Sequence, residues 1–192
     1  MTDARGALGV ILAGGRGTRM GGAHKGLLTV DGVPLISRAH DVLASQCEAV
    51  LVITFTPDVY RPVLPSMVDF VSDRRPGHGA PSGVHTALCE ARDRGLDRAC
   101  VLACDMPAIT TKALAELQHA MLDGTRAPGA FYEAGGHLHP LAGWWGLEML
   151  SAIEEALASG AGLQSVVRQT EALVLAGDTV MLANWNSPSD MG

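Results

Sequence analysis

Short apolar runs of strand length alternate with stretches of helical periodicity along the first two thirds of the chain. That alternation restricts the fold more than any other feature. Ala7–Ala13, Ala49–Thr54, Val68–Ser72 and Ala99–Cys104 read as buried strands. Between them, Pro34–Cys47 carries Leu35, Ile36, Ala39, Val42 and Leu43 at helical spacing, with Pro34 suited to a first turn. Ser82–Arg94 sets Val84, Ala87, Leu88 and Ala91 on one face, and Thr110–Leu122 continues the pattern. Parallel neighbours need a crossover, which a helix supplies in a right-handed βαβ unit. An α/β fold with a mostly parallel sheet follows.

The last third is less regular. Gly129–Glu133 and Leu138–Trp145 are expected to pair as a hairpin across Ala134–His137, and Leu147–Ala158 reads as an amphipathic helix. Leu163–Gln169 reads as a short helix, Ala172–Ala176 and Thr179–Asn184 as strands, and Ser187–Asp190 as the start of a terminal helix. With 192 residues, 47% of them hydrophobic, and no repeat or linker, one domain spanning 1–192 is expected. The net charge of −6 speaks against a nonspecific nucleic-acid surface. No apolar run approaches the ~20 residues of a membrane span, and the first strand meets glycines too soon for a secretory leader. A cytoplasmic location follows, with no nucleic-acid or membrane partner. Cys47, Cys89, Cys100 and Cys104 show no C-x-x-C or zinc spacing and read as buried, reduced thiols.

The first strand runs directly into Gly14-Gly-Arg-Gly-Thr-Arg-Met-Gly-Gly22, a loop whose cations, Arg16, Arg19 and Lys25, face no carboxylate between residues 16 and 25. Glycines let backbone N–H groups close around an anion, and the cations neutralise it. A polyphosphate is the expected target. Lys25 is one of only two lysines, the other being Lys112, and a compact ammonium suits a phosphate. The loop is neither a Walker A sequence, since His24-Lys25-Gly26 stands where Gly-Lys-Ser/Thr belongs, nor a dinucleotide fingerprint, since Met20 takes the third glycine position. Leu-x-Gly-Gly-x-Gly-Thr-Arg with a lysine six residues on resembles the loop of nucleotidyltransferases, which move a nucleoside monophosphate from a triphosphate to an acceptor phosphate.

Ligands of open α/β sheets sit beyond the carboxyl ends of the strands. Asp105 stands at such an end, ahead of Pro107, and one carboxylate with phosphate oxygens and water is a common Mg²⁺ set. Asp73 ends the third strand, and the loop 74–83, rich in glycine and proline, suits a backbone-lined pocket for a base or ribose.

Leu12-Ala-Gly-Gly15, Arg19-Met-Gly21, Lys25-Gly-Leu27, Gly32-x-Pro34-Leu35, Asp73, Pro81-x-Gly83, Cys104-Asp105-x-Pro107, His139-Pro140 and Asn184-x-Asn186-x-Pro188 occur in an order that resembles the molybdenum cofactor guanylyltransferase family over nearly the whole chain. The resemblance implies a Rossmann-like three-layer α/β sandwich of the nucleotide-diphospho-sugar transferase type. It implies transfer of GMP from GTP to molybdopterin bearing molybdenum, with release of pyrophosphate and Mg²⁺ as cofactor. Leu12, Ala13, Gly14, Gly15, Lys25, Asp73 and Asp105 would bind the nucleotide, Asp105 would hold the metal, and Arg19, Lys25 and Asp105 would serve catalysis. His139, Asn184 and Asn186 would lie towards the pterin, and cofactor-delivery proteins and molybdoenzymes would be partners. The chain departs from the family pattern at His24, where an acid is usual, and after strand two, where Thr54 and Thr56 stand near an expected Asn. A cytidylyltransferase of the same pathway, another small nucleotidyltransferase and a non-catalytic nucleotide-binding protein are the alternatives.

Overall fold

A computed structural model describes residues 6–14, 24–123 and 127–185. The elements begin with β1 (Ala7–Leu12), a 3-10 turn at Lys25–Leu27, the hairpin strands β2 (Thr29–Val30) and β3 (Val33–Pro34), and α1 (Leu35–Ala44). Next come β4 (Ala49–Ile53), the single turn α2 (Pro57–Tyr60), β5 (Asp69–Val71), α3 (Ala80–Asp93), β6 (Arg98–Ala103) and α4 (Thr111–Leu122). The remainder is β7 (Gly129–Ala134), β8 (His137–Leu138), β9 (Ala142–Gly146), α5 (Leu150–Ser159), α6 (Leu163–Gln169) and β10 (Leu173–Ala176).

The main sheet runs β10-β7-β9-β6-β1-β4-β5, with β8 on β7. Along that path every pairing is parallel except those of β9, which lies reversed between β6 and β7. Alternate residues of the strands supply two cores, one on each face. Ile11, Val52 and Leu102 pack under α1 and α4 through Ile36, Leu43, Leu114 and Leu117. Leu8, Val10, Leu51 and Val101 pack under α3, α5 and α6 through Val84, Leu88, Ile153 and Val166. This is the expected three-layer arrangement. Gly9 permits the close approach of α1, because a Cβ there would stand 3.1 Å from both Leu43 Cβ and Val50 Cγ2.

The expected hairpin in the last third is present in altered form. Glu133 and Ala134 pair with Leu138 and His137, the chain breaks at His139-Pro140, and β9 then pairs with β7 and β6 together. Trp144 and Trp145 are both fully buried, one in each core, and their indoles donate to Leu114 O (2.8 Å) and Pro140 O (3.0 Å). Leu147–Met149 forms a 3-10 turn ahead of α5 instead of its first α-turn. The strand expected at Thr179–Asn184 is a turn. Asp178 accepts from the amides of Val180 and Met181 (2.9 Å each) and its carbonyl accepts from Leu182 N, so the backbone closes on itself while Leu182 enters the core. The helix expected from Ser187 lies outside the described residues.

Candidate active site

Four strand ends are level. Leu12 pairs with Ile53 and Ala103, and Ile53 pairs with Val71. The ladder continues one residue further through Cys104 N to Leu12 O (3.2 Å), Ala13 N to Ile53 O (3.1 Å) and Thr54 N to Val71 O (3.0 Å). The next position on each strand is therefore Asp105, Gly14, Phe55 and Asp73, in that order across β6, β1, β4 and β5. The glycine loop and both sequence-predicted carboxylates leave the sheet along this one row.

Lys25 closes over the row. Its Nζ lies 3.2 Å from Asp105 Oδ2, with the side chains 33% and 16% exposed. At that exposure the pair adds little stability, about 0–1 kcal/mol. It holds an ammonium beside a carboxylate at the point where the loop begins. The lysine is anchored by its neighbours: a Cβ on Gly26 would come within 2.9 Å of the Tyr60 ring, and the His24 ring meets Tyr60 edge-on at 5.9 Å. His24 thus packs against an aromatic ring. Burial pushes the Tyr60 hydroxyl up to about 12. Burial, with the Asp105 charge added, does the same to the Cys104 thiol, which also stands at about 12. Both groups stay protonated at neutral pH.

Thr54 fastens the exit of β1. It is 2% exposed, its hydroxyl donates to Ala13 O (3.1 Å), and it accepts from Thr56 N (3.2 Å). Ala13 is thereby held at both its amide and its carbonyl, so the loop leaves the sheet from a fixed point. Thr54→Val keeps the shape and removes the donor. It is expected to cost about 1–2 kcal/mol of stability, because the hydroxyl is buried, and to raise KM for the nucleotide. Thr54→Ser should restore most of both. A thermal melt and a KM that match the parent in Thr54→Val would show the bond to be incidental.

Asp73 is not joined to the Lys25–Asp105 pair. It stands two strand spacings from β1, about 10 Å, beyond β4. Its Oδ1 accepts from Arg75 N (3.1 Å), Thr86 Oγ1 (3.2 Å) and the Ser82 hydroxyl, and Arg74 N donates to Thr86 Oγ1 (2.9 Å). Ser82 and Thr86 are fully buried on α3, so Asp73 clips the loop 74–79 to the start of that helix. Gly79 makes the entry possible at φ 64°, ψ −143°, a backbone that side chains oppose. The Arg74 guanidinium reaches Glu90 and Asp93, both at 2.7 Å, and fixes the other side of the loop.

The C-terminal segment also arrives at the row: Trp185 N donates to Asp105 O (2.8 Å), with exposed Asn184 beside it. His139 is half-buried in the break between β8 and β9, its amide bonded to Tyr132 O (2.9 Å), and burial holds its imidazole below the usual range. Gly15, Arg16, Arg19 and Asn186 lie outside the described residues.

Comparison with known proteins fits this geometry. The model of the MobA-like NTP transferase domain matches residues 9–183. The chain belongs to that family. A molybdenum cofactor guanylyltransferase of Pseudomonas putida is 34% identical over 184 residues, covering 93% of this chain and 92% of its own. A probable molybdenum cofactor guanylyltransferase of Rhodopirellula baltica is 29% identical, covering 96% and 90%. Among solved structures, a molybdopterin-guanine dinucleotide biosynthesis protein A of Archaeoglobus fulgidus superposes with a TM-score of 0.73 at 18% identity, covering 96% and 94%. A 4-diphosphocytidyl-2C-methyl-D-erythritol synthase of Anaerococcus prevotii gives 0.74 at 10%, covering 98% and 94%. At those identities the two structures speak for the fold alone.

As a MobA-like NTP transferase the chain is an enzyme of nucleotidyl transfer. Sequence reasoning placed Lys25, Asp105 and the β1 exit in one site, and the described residues bring them together. It noted Thr54 only as standing near the family's expected Asn and gave it no role in holding the β1 exit. It also missed Ser82 and Thr86, hydroxyls buried on the face of α3 that receives Asp73. Among the described residues no group of three or more His, Cys, Asp or Glu gathers as a metal cluster.

Proposed function

We propose that the enzyme transfers GMP from GTP to molybdopterin, releasing pyrophosphate. The observation that carries this reading is Lys25 and Asp105 in contact at the mouth of a glycine loop, in a chain one third identical to a protein of that name. The chemistry asks little of the protein beyond placement and charge. An acceptor phosphate monoester has a second pKa near 6, so it is mostly dianionic at neutral pH and attacks without a general base. Cys104 and Tyr60, both kept protonated by burial, are consistent with a site that removes no proton.

Asp105 fits a magnesium ion, because that cation takes one or two carboxylates and completes its shell with phosphate oxygens and water. When bound it would neutralise charge on the phosphates. Lys25, turning from Asp105 to the triphosphate, would stabilise the charge that develops as the α-phosphorus is attacked in line, and Arg19 would share that load. Gly14 and Gly15 would leave backbone groups open to the ligand. Among the described residues, a Cβ on Gly14 would meet Ile53 O alone, at 3.9 Å. The Asp73-clipped loop would border the nucleoside.

The test is pyrophosphate release from each of the four common nucleoside triphosphates with Mg²⁺ and molybdopterin. Guanine offers donors and acceptors to backbone groups, and a site built to bond them leaves buried groups unpaired with another base. GTP is expected to exceed CTP in kcat/KM by on the order of 100-fold or more. Equal or faster turnover of CTP would make the enzyme a cytidylyltransferase.

A further inference from the structure

The chain has eight aromatic residues apart from histidine, and seven are packed away. Tyr60, Phe131, Tyr132, Trp144 and Trp145 are buried, Trp185 is half-buried, and Phe70 lies half-buried beneath the Arg61 guanidinium, 4.8 Å from its ring centre. Phe55 alone is open, at 59% exposure. A single exposed apolar side chain means nothing by itself. Two further observations give this one a direction.

The first is its place. Phe55 occupies the row at the carboxyl edge of the sheet between Gly14, where the glycine loop leaves β1, and Asp73, which clips the loop 74–79 to α3. Lys25 and Asp105 stand on the opposite side of Gly14, over β1 and β6. For a triphosphate held at Gly14 and Lys25, β4 and β5 lie on the other side of Gly14, and among the described residues Phe55 is the next position along that edge.

The second is rigidity. Thr54, the residue before, is tied through its amide to Val71 O and through its hydroxyl to Ala13 O. Thr56, the residue after, donates its amide to Thr54 Oγ1 and accepts from Val59 N (3.2 Å), with Pro57 following. An exposed ring on a backbone held at both flanks is preorganised, so little freedom is lost when a flat ligand covers it.

We propose that Phe55 is the platform on which the nucleobase of the triphosphate stacks. The inference rests on the reading that this site takes a nucleoside triphosphate, and it adds the residue that senses the base. Every base has a π-face, so the contact governs affinity for nucleosides in general. Larger purines gain more from it than pyrimidines, and it does not distinguish guanine from adenine. Removing such a contact by alanine weakens binding by about 5- to 150-fold.

The experiment compares binding of GTP and of inorganic tripolyphosphate by calorimetry, with initial rates alongside, in the parent, Phe55→Ala, Phe55→Leu and Phe55→Tyr. Phe55→Ala is expected to raise Kd and KM for GTP about 10-fold, with the loss falling on KM and not on kcat. Phe55→Leu should fail to restore it, Phe55→Tyr should restore it, and tripolyphosphate, which has no base, should bind all four proteins alike. Unchanged GTP affinity in Phe55→Ala overturns the proposal while leaving the function standing. So does an equal loss for tripolyphosphate, which would mark the residue as a support of the phosphate loop. An effect confined to KM for molybdopterin overturns it as well, assigning the ring to the acceptor's pterin. A parent protein that binds neither GTP nor tripolyphosphate overturns the function and the platform together.

Discussion

Asp105→Asn is expected to reduce turnover at saturating GTP by about 100-fold or more, because the amide keeps the shape and loses the hard anionic oxygen that a magnesium ion requires. The fold should survive. The bond from Trp185 N reaches the Asp105 backbone carbonyl, which the substitution leaves in place. The lost ion pair with Lys25 is partly exposed, worth about 0–1 kcal/mol, and a chain of this size loses about 2–4 °C in Tm per kcal/mol. Pyrophosphate release across a magnesium titration, with a thermal melt of each protein, separates the two effects. Superimposable titration curves for variant and parent would remove Asp105 from the metal and from catalysis.

Lys25→Ala is expected to lower kcat/KM by about 10- to 150-fold, the equivalent of one charge-assisted bond to phosphate at about 1.5–3 kcal/mol. Ground state and transition state should both suffer, since the triphosphate carries negative charge in each. Tripolyphosphate binding should fall along with the rate. The two substitutions should not add: each residue faces the other at 3.2 Å, so the double variant Lys25→Ala/Asp105→Asn should lose less than the sum. A Lys25→Ala protein with the affinity and rate of the parent would end the assignment of the loop as a phosphate site.

The order of the elements was legible because period-2 and period-3.6 patterns are local and strong. Their order in space was less so. Nothing local distinguishes β9 as a reversed strand between β6 and β7, and adjacent Trp144 and Trp145, each buried on its own face, erase the alternation that a one-sided strand would show. The hairpin of β2 and β3 turns on Asp31 and Gly32 at φ 52° and 77°, a turn that an Asp-Gly pair signals, yet strands of two residues carry no periodicity to flank it. At Thr179–Asn184 apolar residues suggested a strand, and the Asp178 side chain decided for a turn. In the site, Asp105 was readable from a strand-ending acid ahead of a proline. The clip made by Asp73 depends on Ser82 and Thr86 meeting it across a loop, a tertiary fact with no signal at short range.

The placement of the tryptophans divides the protein's intrinsic fluorescence into two reporters. Trp144 and Trp145 sit in the dry cores on either face of the sheet, where their emission answers to loss of packing and is blind to ligands at the strand ends. Trp185, half-buried and tied through its backbone amide to the Asp105 carbonyl, is the tryptophan whose backbone is anchored at the strand ends. A red shift of the dominant emission therefore tracks unfolding, whereas a small change in intensity at constant wavelength on adding nucleotide originates at Trp185, so one unlabelled sample yields stability and occupancy as separate signals.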